Sequence, residues 1–291
     1  MPSTLANLGE FGLIDWIKKI APTTRDVING IGDDTAVLKT SVGKYLLLTT
    51  DMLIEGSHFT RRMDPQRIGH KALACNISDI AAMGGIPKFA VVSLGVPSTL
   101  NGSFVKNIYQ GMNRLAKKFN VSIVGGDTNK SPHIVINVAL TGEVSRENFV
   151  LRKGARPGDK IYVTGPLGGS FQSGKHLLFI PRVKESQLLV KKSKPSSMID
   201  ISDGLAADLN HILKHSGVGA ILEEENIPCA PGAQLDQALY EGEDFELLFT
   251  LSSKKTTKFD CIGEIVARSG IWLKDKKGKL KKISAKGFRH F

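Results

Sequence analysis

Cysteine is scarce in this chain: Cys75, Cys229 and Cys261 are odd in number and far apart in 291 residues. They form neither a disulfide framework nor a Cys-x-x-Cys metal site, so a reducing, cytoplasmic compartment is expected. Zinc is disfavoured because the cysteines are not paired at ligand spacing. Long apolar runs are missing too. No stretch reaches the ~18 uninterrupted apolar residues of a membrane helix, and Met1-Pro2-Ser3-Thr4 lacks the charged region and apolar run of a secretion signal. No membrane partner is expected. There is no Gly-x-Ser-x-Gly elbow to support a Ser/His/Asp triad, and no cysteine has an activating context. Aromatics make up 7% of the chain, and none is interleaved with the lysine clusters at 191–194, 254–258 and 274–282. Nucleic-acid binding therefore lacks a recognition pattern. The formal net charge of +11 reads as a solvated surface that also helps to collect phosphorylated substrates.

Against that positive balance, carboxylates gather six times where an apolar run meets a turn. The segments are Gly32-Asp33-Asp34, Thr49-Thr50-Asp51, Asn76-Ile77-Ser78-Asp79, Gly125-Gly126-Asp127-Thr128, Asp200-Ile201-Ser202-Asp203-Gly204 and Gly242-Glu243-Asp244. Hard oxygen ligands from several segments suit Mg²⁺, which usually sits between a few carboxylates and substrate phosphates. The expectation is an enzyme that handles a nucleotide triphosphate through magnesium. Taken singly, most of these segments read equally well as turns and helix caps. Asp79 does not, because it falls inside a helix among Ile77, Ile80 and Ala81, where a carboxylate is costly without a compensating partner. Asp200 and Asp203 flank Ser202 just before an amphipathic helix, which fits both an N-cap and a phosphate site. The run Gly169-Ser170-Phe171-Gln172-Ser173-Gly174-Lys175-His176 nearly spells a P-loop. It has His176 where the Mg²⁺-ligating hydroxyl belongs, so it reads as a glycine-rich loop leading to a helix.

Strands and helices alternate along the chain. Leu13, Trp16, Ile17 and Ile20 predict a first amphipathic helix, and residues 44–50 a strand. Asp64-Pro65 opens a helix that stops near Gly84-Gly85. Further strands are expected at 89–96, 121–124 and 134–144, with a helix through Phe104, Ile108, Met112, Leu115 and Phe119. The polar stretch at 152–158 places a domain junction near 145–155. The second half has strands at 160–164, 220–222, 245–250 and 261–266, and a helix through Leu205, Leu209 and Ile212. The lysine-rich tail from Lys274 is expected to be the least ordered part. An α/β (α+β) protein of two halves, 1–148 and 149–291, is predicted.

Taken in order, the segments resemble the thiamine-monophosphate kinase family of the aminoimidazole-ribonucleotide-synthetase-like ATP-binding superfamily. The likeness runs from Gly30-Ile31-Gly32-Asp33-Asp34 through Gly56-Ser57-His58-Phe59, the stretch Lys71 to Gly84, Gly125 to Thr128, Arg152 and Asp200 to Leu205. It continues through Gly242 to Leu247 and ends at Gly287-Phe288-Arg289-His290-Phe291. Only the segment between Gly169 and Asp200 is short for the family.

The resemblance implies ATP-dependent phosphorylation of thiamine monophosphate to thiamine diphosphate. It implies several Mg²⁺ ions at Asp34, Thr49, Thr50, Asp51, Asp79, Asp127, Asp200 and Asp203, and ATP near Tyr109, Gly126, Asp127, Arg152 and Ser202. Thiamine phosphate is expected near His58, Glu243 and Phe288. The resemblance also implies a homodimer whose N-terminal halves pair their sheets, with the active site in a cleft between the two halves of each chain. The alternative within the superfamily is a synthetase acting on a purine precursor or forming selenophosphate. The latter would want a reactive cysteine near the N-terminus, and residues 1–74 contain none. A catalytically silent nucleotide- or nucleic-acid-binding protein is the rival from another class.

Overall fold

The structure, a computed structural model, describes residues 5–40 and 43–288. The first helix, α1 (Leu5–Ile20), is broken at Gly9, where the backbone is left-handed. The helix forms as its spacing predicts, but Trp16, Ile17 and Ile20 remain exposed, so its apolar stripe is not packed into the core of one protomer.

The first sheet contains β1 (Val27–Asn29), β2 (Ala36–Lys39), β3 (Lys44–Ile54), β4 (Ile86–Val96), β5 (Ser122–Lys130) and β6 (Val135–Ser145). Their spatial order is β1-β2-β3-β6-β4-β5, antiparallel except for the β4–β5 pair. Two strands are longer than the sequence predicts. β3 continues past Thr50 because Asp51, Met52 and Leu53 keep the alternating pattern and stay in register with β6. β5 carries Gly125, Gly126 and Asp127 as a paired edge strand beside β4, so Asp127 sits within a strand and not in a turn.

The inner face of this sheet is covered by α2 (Pro65–Ala82), behind which packs α3 (Gly102–Phe119). Asp64 caps α2 by accepting the Gln66 amide at 2.9 Å, with Pro65 in the first turn. The two helices touch backbone to backbone: a Cβ on Gly69 would lie 1.9 Å from the Ile108 carbonyl oxygen, and one on Gly111 1.8 Å from that of Gln66. Nearly every α2 residue from Ile68 onward is buried, in a core shared with Leu47, Val92, Ile136 and Val138.

The second sheet contains β7 (Lys160–Val163), β8 (Ser197–Asp200), β9 (Gly219–Glu223), β10 (Leu247–Leu251), β11 (Asp260–Val266), β12 (Gly270–Lys274) and β13 (Leu280–Ile283). Its order is β13-β12-β9-β11-β7-β10-β8. The segment after Gly169 folds into short helices α4 (Ser170–Ser173), α5 (Lys175–Leu178) and α6 (Val183–Leu188), followed by a π-helical turn at Leu189–Ser193. Beyond them come α7 (Leu205–Ser216) and α8 (Leu235–Tyr240).

Leu205, Leu209 and Ile212 of α7 pack on one face of the second sheet. The other face meets Ala82 at the end of α2 together with Leu189 and Val190 of the π-helical turn. Helix α2 is thereby packed against both halves of the chain. The lysine-rich stretch is more ordered than expected: β12 and β13 form an edge hairpin, its turn closed by Asp275 accepting the Lys277 and Lys279 amides. Ile271, Leu273 and Ile283 point inward while most of the lysines stay in water.

Candidate active site

A cleft of about 1020 Å³ opens where the two sheets face each other across α2. Helix α2 presents Lys71, Cys75 and Asp79 to it, spaced four residues apart and so on one helix face. Strand β3 turns Thr49 and Asp51 inward, and the loop before β2 brings Asp33 and Asp34. From the second half come Ser202, Asp203, Glu243 and Phe288, with His58 from the loop after β3. Arg289, His290 and Phe291 lie outside the described residues.

At the base of the cleft, Asp34, Asp79 and Asp200 each offer an oxygen within 4.8 Å of the others. Thr49 Oγ1 donates to Asp79 at 2.6 Å, Ser78 Oγ donates to Asp200 at 2.5 Å, and Arg152 donates to Asp34 at 2.7 Å. These bonds do not compensate the burial. Burial, reinforced by Asp51, Asp200 and Asp34, pushes the Asp79 carboxyl well above the ordinary carboxylate range. Burial and the Asp34 charge raise Asp200 to about 8, burial and Asp34 raise Asp33 to about 7, and burial raises Asp51 to about 6. Arg152 also stays charged: burial opposes its charge, but Asp34 and Asp33 outweigh that effect.

Such a cluster fits divalent cations. Its donors are hard oxygens, Asp34 Oδ2 is buried with no hydrogen-bond partner, and Asp51, Asp200 and Asp34 all disfavour the charged form of Asp79. A second group joins Asp203, Asp208 and His211 near the start of α7. There Asp208 accepts the amides of Asp203 and Gly204, and burial followed by the Arg152 charge lowers His211 to about 3.

The Gly242–Glu246 segment is held from beneath. Glu243 and Phe245 adopt left-handed backbones (φ 65° and 50°), which non-glycine residues rarely do. Buried Asp244 accepts the Gly168 amide and the Ser170 hydroxyl. Buried Glu246 accepts from Nε and Nη2 of Arg182, the Lys175 ammonium and the Thr164 hydroxyl. Lys175, the lysine of the P-loop-like run, is therefore committed to a structural ion pair.

Not every expected residue converges within one protomer. Thr50 borders the cleft but turns its side chain to the opposite side of β3 from Thr49 and Asp51, bonding to Asn137 across the sheet. Asp127 shares that outer face, in register with Ser93, Asn137 and Met52, and accepts from Asn129 at 2.5 Å. Gly126 adjoins it on the exposed strand, and Tyr109 is half-buried on α3; neither lines the cleft. Conversely, Asp33 and Ser78 were named only as parts of the acidic segments, and Lys71, Asp208 and His211 were given no role. For Lys71 the signal was its spacing of eight residues before Asp79, two turns along one helix face.

Residues 32–144 match the family described as AIR synthase related protein, N-terminal domain. The chain is 37% identical over 318 residues to the thiamine-monophosphate kinase of Aquifex aeolicus, covering 99% of both. It is 38% identical to that of Bacillus subtilis, covering 83% of this chain and 84% of the relative.

The chain belongs to the thiamine-monophosphate kinase family.

A solved structure of the family, AaThiL complexed with AMPPCP and TMP, superposes with a TM-score of 0.90 at 36% identity and full coverage of both chains. These relatives favour the kinase over the purine-precursor and selenophosphate alternatives.

Proposed function

We propose that this chain transfers the γ-phosphate of ATP to thiamine monophosphate, giving thiamine diphosphate, in the cleft between its halves. The observation that carries this reading is the buried Asp34–Asp79–Asp200 cluster, assembled from both halves in a fold of this family. Asp34, Asp51, Asp79 and Asp200 are the inner set to hold Mg²⁺, joined by Thr49 and by Asp203. Bound Mg²⁺ supplies neutralisation of the charge on the transferring phosphoryl group.

The acceptor nucleophile is a phosphate oxygen, already ionised at neutral pH, so no strong general base is required. This accounts for a site with many acids and no nucleophile. Arg152 orients phosphate with its planar fork; its buried Nε has no hydrogen-bond partner. Ser202 lies with it on the nucleotide side. His58, Glu243 and Phe288 bind the acceptor, Phe288 offering an aromatic face to the cationic thiazolium. Transfer is direct, without a phosphoenzyme.

The outer face of the first sheet supports a homodimer. Leu48 and Phe89 are exposed there in one row across Thr141, with Val91 and Met52 exposed in the next two rows, an apolar surface that a monomer rarely leaves bare. Thr50, Gly126 and Asp127 lie on or beside that face, and with Tyr109 they join the nucleotide and metal site through sheet pairing. In this reading residues 1–148 bind ATP and Mg²⁺ and dimerise, residues 149–291 complete the cleft, and the enzyme works in the cytoplasm. No helix among the described residues is long and apolar enough to cross a membrane.

The test is ADP release with Mg²⁺, ATP and a panel of phosphorylated acceptors, with products resolved by ³¹P NMR. Thiamine diphosphate should form. Turnover with a purine precursor or selenide but not with thiamine monophosphate would refute the assignment, and a trapped phosphoprotein would refute direct transfer.

A further inference from the structure

Lys71 is among the bulkiest side chains of the described residues to be fully buried, at 1% exposure. A buried ammonium is costly unless its protons find acceptors. Here it donates to the His58 carbonyl at 3.2 Å and forms an ion pair with Glu243. The two acceptors come from opposite walls of the cleft. His58 belongs to the loop after β3, and Glu243 to the left-handed segment pinned by Asp244 and Glu246. The Glu243 amide is fixed separately, donating to Ser202 at 2.7 Å. Its backbone is thus held by its own half of the chain and its carboxylate by the other half.

We propose that Lys71 is a positioning residue for the phosphate acceptor, locking His58 and Glu243 into one rigid subsite across the cleft. The inference rests on the reading of His58 and Glu243 as acceptor contacts. Lys71 itself makes no chemical step; it removes the freedom of two groups that would otherwise be ordered only when the acceptor binds. Nucleotide handling, assigned to Arg152 and Ser202, should be little affected. An ion pair that only joins the two halves would alter stability and leave the kinetic constants alone.

The experiment compares wild type, Lys71→Met, Glu243→Gln and the double variant, with ATP and thiamine monophosphate titrated separately. Lys71→Met should raise the acceptor KM by about tenfold or more while the ATP KM changes by less than about threefold. Because the two residues act as one unit, the double variant should be no worse than the worse single. An unchanged acceptor KM in folded Lys71→Met, or additive losses in the double variant, would overturn the proposal.

If Lys71→Met does not fold, the ammonium resonance of Lys71 in ¹⁵N-lysine-labelled wild type gives the reading. It should move with thiamine monophosphate and stay in place with an ATP analogue alone; an unmoved signal with the acceptor would refute the role. Wild type that never phosphorylates thiamine monophosphate would sink the kinase reading, whereas active wild type with the unaltered constants above would sink only this inference.

Discussion

Ser78 and Asp200 meet across the two halves of the molecule: the Ser78 hydroxyl on α2 donates a 2.5 Å hydrogen bond to Asp200 Oδ2 at the end of β8. Both residues are buried, and Asp200 is the member of the acidic cluster furthest along the chain. That bond opposes the rise of the Asp200 carboxyl, which burial and Asp34 nevertheless push to about 8. Ser78→Ala should cost about 1–2 kcal/mol of stability. It should also raise the Mg²⁺ concentration needed for half-maximal rate near neutral pH, since more of Asp200 must lose a proton before it ligates. Magnesium titrations of the initial rate at pH 7 and pH 9 check this: the defect should shrink at the higher pH.

Asp79→Asn separates chemistry from folding. Turnover should fall by about 100-fold or more, because a hard anionic ligand at the centre of the site is lost. The metal-free fold should survive, and at pH 8 its melting temperature should equal or exceed that of wild type, because a carboxyl whose charged form burial and its acidic neighbours disfavour has gone. Near-normal turnover in a well-folded variant would remove Asp79 from the site.

Metal removal should reveal the strain among the acids through pH. Asp79, Asp200, Asp33 and Asp51 have folded-state pKa values raised above the unfolded carboxylate value of 3.8. Between that value and about 8, the folded state therefore binds more protons than the unfolded one, and stability falls as pH rises. Calorimetry in a chelator should show the melting temperature dropping from pH 5 to pH 8. Mg²⁺ should raise it at both values, and more at pH 8, where fewer protons must leave the carboxyls before the ion binds. A metal-free protein whose stability climbed over this range would contradict the arrangement.

Phe89 and Leu48 lie in one row on the outer face of the first sheet, bridged by Thr141. Phe89→Glu places a charge in that row. If the sheets pair, sedimentation should show a shift from dimer to monomer, with activity falling in parallel because Thr50 and Asp127 lose their place in the site. A wild type that sediments as a monomer at micromolar concentration would count against sheet pairing.

Much of the fold was legible from periodicity. α2 and α3 announced themselves through caps and apolar spacing, and β6 through alternation. The short strands β1, β8 and β13, of three or four residues each, carry too little pattern to stand out. Asp51 and Asp127 looked like turn residues because glycines and hydroxyls surround them, yet both are paired in strands whose neighbours supply the missing propensity. The apolar stripe of α1 was correctly seen as a helix face, but nothing in its spacing revealed that Trp16 and Ile20 would stay uncovered in one protomer.

The sequence alone determined the chemistry available: hard oxygen donors beside glycines, no activated nucleophile, and an ordered series of motifs that marks the family. Residue type and local spacing carry that information, since ligand hardness and helical periodicity are local properties. Which acids come together in one cluster was decided only by tertiary packing. Asp34, Asp79 and Asp200 come from a loop, a helix and a strand end, and they converge because α2 is packed against both halves of the chain. The same packing buries Lys71 between His58 and Glu243 and leaves Thr50 and Asp127 on the opposite face of the sheet. Distance across a fold follows from burial of apolar surface, which no single segment encodes by itself.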